Sequence, residues 1–152
     1  MLFIRKIHSF GASRSEMVHL WITYCRSILE QSAVVWQGGL TDQNRQDLER
    51  TQKSFAKLIL KNNYENYNNA LKRLNIPTLE SRRDLICLRF AKNCRNNNKM
   101  KHLFPLNSVK HNHSLRRTQK FHVHKANTER FEKSPIIYMQ KLLNRDHNQT
   151  TK

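Results

Sequence analysis

Apolar residues recur along most of the chain at intervals of three and four positions, which is the spacing of one helix face. The first strong pattern follows Ser13, whose hydroxyl is placed to accept from the Glu16 amide while Glu16 reaches back, as in a capping box. The pattern predicts a helix from residue 13 to about Trp36, where Gly38 and Gly39 end it. Its apolar face holds Met17, Leu20, Trp21, Tyr24 and Ile28. A short basic and apolar segment precedes it, and Gly11 stands where a helix C-terminal glycine would.

A second helical pattern begins at Thr41, a good N-cap, with Asp42 in the favourable first turn. Its apolar residues cluster on one side, at Leu48, Phe55, Leu58 and Ile59. The opposite side carries four cations and no acid, namely Arg50, Lys53, Lys57 and Lys61. Such a face is usually an ordinary solvated surface. The alternative is a stripe that lies along a nucleic-acid phosphate backbone.

Two further helices follow in the middle of the chain. The first is predicted over residues 67–74, and Pro77 disfavours helical conformation in the residue before it. Thr78 caps the second, which extends to about Cys94. Its apolar residues lie on two sides, with Ile86, Phe90 and Cys94 on one and Leu85 and Leu88 on the other. A helix that is apolar on two sides is usually buried between neighbours, which indicates a neighbour supplied by a protein partner.

The composition changes at the three asparagines of residues 96–98. Between Lys99 and Lys133 there are nine Lys or Arg, two acids and five His, with few large apolar residues. Such a segment can bury little, so it is expected to be extended or disordered until it meets a partner. A last short helix is predicted after Pro135, with a polar tail beyond Asn144. The sequence therefore predicts an all-α chain: a small irregular helical domain over residues 1–96, a basic His-rich segment over 97–134, and a short C-terminal helix with its tail over 135–152.

Charge is the strongest compositional feature. Lys and Arg number 28 against 11 Asp and Glu, which leaves a formal net charge of +17. A polyanion most simply relieves that self-repulsion, so the expected partner is an RNA or DNA backbone bound without sequence specificity. The expected phosphate contacts are Arg50, Lys53, Lys57, Lys61, Arg116, Arg117, Lys120 and Lys125. Tyr64 and Tyr67 are candidates for stacking on bases, although core packing is the more usual role for Tyr67.

Residues that carry catalysis or hold metals form no convincing cluster. The histidine pairs 111/113 and 122/124 lack the usual zinc-ligand spacing, so a basic hydrogen-bonding surface is favoured over a metal site. The three cysteines, Cys25, Cys87 and Cys94, lie in helical patterns and are expected to be reduced, inert thiols. The four aspartates are scattered, and no glycine-rich phosphate loop is present. We therefore expect no enzyme activity, no metal and no cofactor.

No targeting signal or bilayer-spanning run is apparent. The apolar start of the chain ends at Arg5, far short of a signal peptide, and no stretch approaches the length needed to cross a membrane. An intracellular location, nucleus or cytoplasm, without membrane association is expected.

Several segments together resemble the region after the palm domain in non-LTR retrotransposon reverse transcriptases of the LINE type, similar to the Jockey and CR1 groups. The closest match is IPTLESRR at residues 76–83, followed by CLRFAK at residues 87–92. The other matching segments occur in the same order as in the family, at residues 9–11, 24–36, 48–53, 58–60, 70–71, 128–131 and 134–144. Two positions depart from the family pattern. Gln31 stands where the family tends to have tyrosine, and Ser27 replaces the proline that the family often has before Ile-Leu-Glu.

The resemblance implies a thumb-like helical region that helps to hold template and primer. It also implies that the polymerase aspartates and the endonuclease domain would precede Met1, so no catalytic residue is carried over. A remnant of such an enzyme, with nucleic acid or the remainder of a reverse transcriptase as partner, is the leading hypothesis. The alternatives are a helical domain that docks on another protein and a decayed copy without a selected function.

Overall fold

The computed structural model describes residues 2–107 and 119–150, and its regular elements are helices. They are α1 (Leu2–Ser9), α2 (Arg14–Leu20), α3 (Ser27–Glu30), α4 (Ala33–Trp36), α5 (Asp42–Leu60), α6 (Tyr67–Leu74), α7 (Leu79–Asn96), α8 (Glu129–Glu132) and α9 (Pro135–Thr150). A π-helix occupies Trp21–Arg26, and short 3₁₀-helices occupy Gln37–Gly39, Lys61–Asn63 and Lys101–Leu103. In the described residues, β pairing is limited to an isolated bridge between Leu106 and Phe121. The all-α fold class that the sequence predicted is confirmed.

The helix starts lie where capping residues predicted them. Ser13 and Glu16 form the capping box at α2: Ser13 N donates to Glu16 Oε2 at 2.7 Å, and Glu16 N donates to Ser13 Oγ at 3.3 Å. The Thr41 and Thr78 hydroxyls accept backbone N–H groups three residues on, at 3.2 and 3.1 Å, and so cap α5 and α7. Gly11 follows α1 with φ 87°, a conformation that favours glycine.

The continuous helix predicted over residues 13–36 is wrong, because the structure interrupts it. After α2 the chain passes through the π-helix, returns to α-helix in α3, and leaves helical conformation at Gln31, where ψ is 129°. Ser32 then adopts φ 53°, in the left-handed region, and α4 begins at Ala33. No glycine or proline marks this break. It coincides with the point at which the chain passes from one compact unit to another.

The chain divides into two compact units, and the division differs from the predicted boundary at residue 96. The first unit comprises Met1–Ser32 and Leu40–Arg83, and the second comprises Ala33–Gly39 and Asp84–Lys152. Helix α7 therefore starts in the first unit and ends in the second. Each unit has a hydrophobic cluster of its own.

The core of the first unit is centred on Trp21 and Phe55. Their rings stack with centroids 4.4 Å apart and an interplanar angle of 15°. Apolar side chains from α1, α2, α5, α6 and the chain after α6 surround them: Ile4, Met17, Ala56, Ile59, Leu60, Ala70, Leu71, Leu74 and Ile76. Helix α5 thus places one face in the core and leaves the other to solvent.

The core of the second unit corrects the predicted faces of α7. The buried side chains of α7 in this unit are the small ones, Cys87, Ala91 and Cys94, whereas Phe90 is 38% exposed. Small side chains let the neighbouring elements approach α7 closely, which a pattern of large apolar residues does not predict. They pack with Phe104, Phe121, Met139, Leu142 and Leu143. A similar close approach occurs at Gly38, where an added Cβ would lie 2.8 Å from Tyr138 Cβ.

Part of the segment over residues 97–134 is more ordered than the sequence suggested, because two amide side chains of α9 bind its backbone. Asn144 Oδ1 accepts from Phe121 N at 2.9 Å, and Asn144 Nδ2 donates to Phe121 O at 3.0 Å. One turn earlier, Gln140 Oε1 accepts from His124 N at 3.0 Å and Gln140 Nε2 donates to Leu103 O at 2.9 Å. Both amides are buried, so these bonds are shielded from water.

Helix α9 is longer than the short helix that the sequence predicted. It continues to Thr150, past Asn144, where a polar tail was expected. Two contacts support the additional turns. Lys92 Nζ lies 2.7 Å from Asp146 Oδ2, and the Thr150 hydroxyl donates to Asp146 O at 2.7 Å.

Candidate nucleic-acid interface

Helix α5 carries exposed lysines on the side opposite the core of the first unit. Phe55 and Ala56 are fully buried, whereas the side chains of Lys53 and Lys57 are exposed. Lys53 and Lys57 are separated by about one helical turn, or about 6 Å along the axis. Lys61 is exposed at the end of the helix. We call Lys53, Lys57 and Lys61 the lysine stripe.

Arg50, the fourth cation predicted on this side, is paired with an acid. Its Nη1 lies 2.6 Å from Asp47 Oδ1, and the two side chains are 63% and 51% exposed. Asp47 stands three residues before Arg50, the spacing of neighbours on a helix surface, so it offsets part of the charge of Arg50 on the side expected to carry no acid. Within residues 2–107 and 119–150, no acidic oxygen lies within ion-pair distance of any member of the lysine stripe.

The two tyrosines near the stripe are engaged in the fold. Tyr64 packs against the core of the first unit, and Lys57 Nζ lies 5.5 Å from its ring centroid. The Tyr67 hydroxyl donates to Glu49 Oε2 at 2.5 Å and accepts from Gln52 Nε2 at 3.0 Å. Burial, reinforced by Glu49, raises the pKa of Tyr67 well above its usual range. This geometry favours a packing role for both rings over stacking on bases.

In the second unit, two cations converge on one aromatic ring. Arg95 Cζ lies 4.5 Å and Lys120 Nζ 6.0 Å from the ring centroid of Phe121, which is 3% exposed. Lys120 was a predicted phosphate contact, but Arg95 was not. Because Arg95 is on α7, only knowledge of the tertiary contact could have connected it with Phe121. Lys125 is exposed further along the same segment.

The remaining predicted contacts, Arg116 and Arg117, lie outside the described residues. The same holds for His111 and His113. The structure therefore places Lys53 and Lys57 one turn apart on α5 of the first unit, with Lys61 directly after the end of that helix. It also places both Lys120 and Arg95 near the ring of Phe121 in the second.

Histidine and cysteine side chains in the described residues do not form a metal site. The rings of His122 and His124 lie edge to face with centroids 5.4 Å apart, and His124 Nδ1 is 2.7 Å from Gln140 Nε2. Among residues 2–107 and 119–150, no three His, Cys, Asp or Glu side chains are placed to hold a metal ion. Burial raises the pKa of the Cys25 and Cys94 thiols, which disfavours the reactive thiolate.

The described surface is thus cationic in both units, with its most regular feature on α5. No helix in the described part of the chain is long and apolar enough to cross a bilayer. Comparisons with protein-family profiles, with curated proteins and with solved structures give no match to this chain.

Proposed function

We propose that this chain is a non-catalytic helical region that binds the phosphate backbone of RNA or DNA without reading its sequence. The observation that carries the proposal is the lysine stripe. Its three side chains are exposed and have no acidic partner in the described residues. Lys53 and Lys57 lie on α5, which the core of the first unit anchors, and Lys61 comes directly after that helix. Charge of this kind favours phosphate contact without base readout. The net charge of +17 supports the same partner.

We further propose that the region corresponds to the part of a non-LTR retrotransposon reverse transcriptase that follows the palm. The support is the ordered set of sequence similarities, with IPTLESRR at residues 76–83 as the closest. In that setting the chain helps to hold template and primer, in the nucleus or cytoplasm. Its partners are nucleic acid and the remainder of a reverse transcriptase or another protein, and the polymerase chemistry belongs elsewhere.

Salt dependence tests the backbone-binding proposal. The measurement is fluorescence anisotropy of labelled duplex DNA and labelled single-stranded RNA across a salt series. If each lysine of the stripe neutralises one phosphate, these contacts alone lower duplex affinity about 40-fold between about 50 and 200 mM salt. Replacement of all three, in Lys53→Ala/Lys57→Ala/Lys61→Ala, should make the log–log slope shallower by about 2.7.

A matched variant distinguishes the contribution of the lysine stripe from the effect of removing three positive charges anywhere on the chain. Lys6→Ala/Lys72→Ala/Lys99→Ala removes the same charge from three other exposed lysines, each without an ion pair in the described residues. It should lose less affinity than the stripe variant, and circular dichroism should show equal helix content in both. Affinity that is independent of salt contradicts backbone binding, and equal losses in the two variants contradict the assignment to α5.

A further inference from the structure

A guanidinium of α7 lies over a buried aromatic ring of the second unit. The ring is that of Phe121, which is 3% exposed and belongs to the core of this unit. The backbone of Phe121 is held as well, because the Asn144 amide bonds both its N–H and its carbonyl oxygen. Arg95 Cζ lies 4.5 Å from the ring centroid. The fold therefore provides a fixed support for this guanidinium.

Contact with the ring leaves the charge of Arg95 without an acidic partner. Within residues 2–107 and 119–150, no carboxylate oxygen lies within ion-pair distance of this guanidinium. Asp146 on α9 already pairs with Lys92, one turn before Arg95 on α7, at 2.7 Å. An aromatic face attracts a guanidinium, but it does not accept the N–H groups as a carboxylate does. Arg95 is partly exposed, which leaves its donors open to a ligand.

The surroundings of Arg95 add positive charge and no acid. Lys120 Nζ lies 6.0 Å from the same ring centroid, and its side chain is exposed. The two charges are therefore at most about 11 Å apart, close to the Debye length of about 10 Å at 0.1 M salt, so salt screens their repulsion only in part. Along the sequence, no Asp or Glu occurs between Arg95 and Thr128. An anion bound here would relieve the repulsion and accept the N–H groups of Arg95.

We infer that Arg95 and Lys120 form a second phosphate-binding site, on the second unit. The planar guanidinium donates two N–H groups to two oxygens of one phosphate, and the Lys120 ammonium adds a point charge. Phe121 is a positioning residue, because its ring holds Arg95 in place before the ligand arrives. The phosphate group is part of a nucleic-acid backbone or of a phosphate monoester. The first source extends the proposed function to the second unit, but neither source depends on the lysine stripe.

NMR of the full chain tests this site directly. The Arg95 Nε–H signal and the Phe121 amide signal are followed during addition of inorganic phosphate, or of a thymidine oligonucleotide that has no terminal phosphate. Sodium chloride at matched ionic strength is the control for general screening. Both signals should shift to saturation with a phosphate probe and stay in place with chloride. A response to the oligonucleotide alone assigns the site to a nucleic-acid backbone, and a response to inorganic phosphate alone assigns it to a monoester. A response to both shows that the phosphate group itself is recognised.

Three variants distinguish the geometry of the site from its charge. Arg95→Lys keeps the charge but loses the planar pair of donors, so the affinity read from the Phe121 amide should fall at least about threefold. Arg89→Lys, at an exposed arginine of the same helix without an ion pair in the described residues, should leave it unchanged. Phe121→Leu keeps an apolar side chain but removes the ring, and should weaken binding about threefold when read from Arg95. Slow exchange of the His124 amide, which bonds Gln140, reports that this variant is folded.

Several results would overturn the inference. They are shifts that chloride reproduces, no shift with either phosphate probe, and an affinity of Arg95→Lys equal to that of the wild type, which would show attraction by charge alone. The lysine-stripe variant Lys53→Ala/Lys57→Ala/Lys61→Ala separates the two proposals, because the Arg95 signal should respond in it as in the wild type. Loss of that response would overturn a separate site. An unchanged salt slope in the same variant contradicts the stripe alone, so each proposal can fail by itself.

Discussion

At the scale of single residues, Glu49 connects three helices through one carboxylate. Its Oε1 accepts from Glu80 N, in the first turn of α7, at 2.7 Å, and its Oε2 accepts from the Tyr67 hydroxyl on α6. Backbone N–H groups in the first turn of a helix lack partners within that helix, so Glu49 completes the cap that Thr78 begins. The sequence alone presents Glu49 as one more surface charge, because both partners are distant along the chain.

Tyr67→Phe should change the pH dependence of stability. Burial and Glu49 raise the pKa of Tyr67 above its unfolded value, so its contribution is complete below about pH 10 and declines as pH rises further. At pH 7 we expect the free energy of unfolding of the variant to be about 1–2 kcal/mol lower than that of the wild type. Between about pH 9 and 11 the free energy of unfolding should fall less in the variant than in the wild type. Urea unfolding at several pH values measures both.

Tyr24→Phe is the matched control, because Tyr24 is 58% exposed. It should leave the free energy of unfolding and its alkaline decline close to those of the wild type. A Tyr67→Phe deficit that stays constant from neutral to alkaline pH would contradict the role assigned to the buried hydroxyl.

At the scale of elements, the sequence correctly predicted the helix starts and bounds that depend on residues close together along the chain. Helix α6 has the bounds that periodicity predicted, and α5 and α7 begin after the expected caps, since a capping side chain and its target are three residues apart. The break at Ser32 and the burial of Cys87 in place of Phe90 depend on tertiary packing, which outweighs local propensity. The bridge between Leu106 and Phe121 likewise joins segments that are distant along the chain.

The end of α5 carries backbone strain that one substitution should relieve. Lys61 adopts φ 44° and ψ −118°, where glycine is favoured and a side chain costs about 1–3 kcal/mol. Lys61→Gly should therefore raise the free energy of unfolding by about 1 kcal/mol, as measured by urea unfolding. Lys61→Ala removes the same charge but keeps the Cβ, so it should give no such gain. A gain of equal size in both variants would assign the effect to charge.

At the scale of the whole molecule, the sequence predicted the cationic character but only part of its arrangement. The placement of Lys53 and Lys57 follows from helical geometry, because residues four apart share a face, whereas Lys61 lies one residue past the end of α5. The pairing of Arg50 with Asp47 also follows from helical geometry, since residues three apart are neighbours on a helix surface. The position of Arg95 over Phe121 depends on a tertiary contact, which a helical wheel does not represent.

The two amides of α9 that hold the neighbouring segment have a consequence for isotope exchange. Phe121 N and His124 N each bond to a buried side-chain amide, although neither residue lies in a helix. Their protons should exchange with deuterium far more slowly than that of Lys125, which is exposed, and NMR resolves each one. In Asn144→Ala the Phe121 proton should become fast while that of His124 stays slow. Slow exchange at Phe121 and His124 would thus reflect the spacing of Asn144 and Gln140, which are one turn apart on α9, although the protected segment is itself not helical.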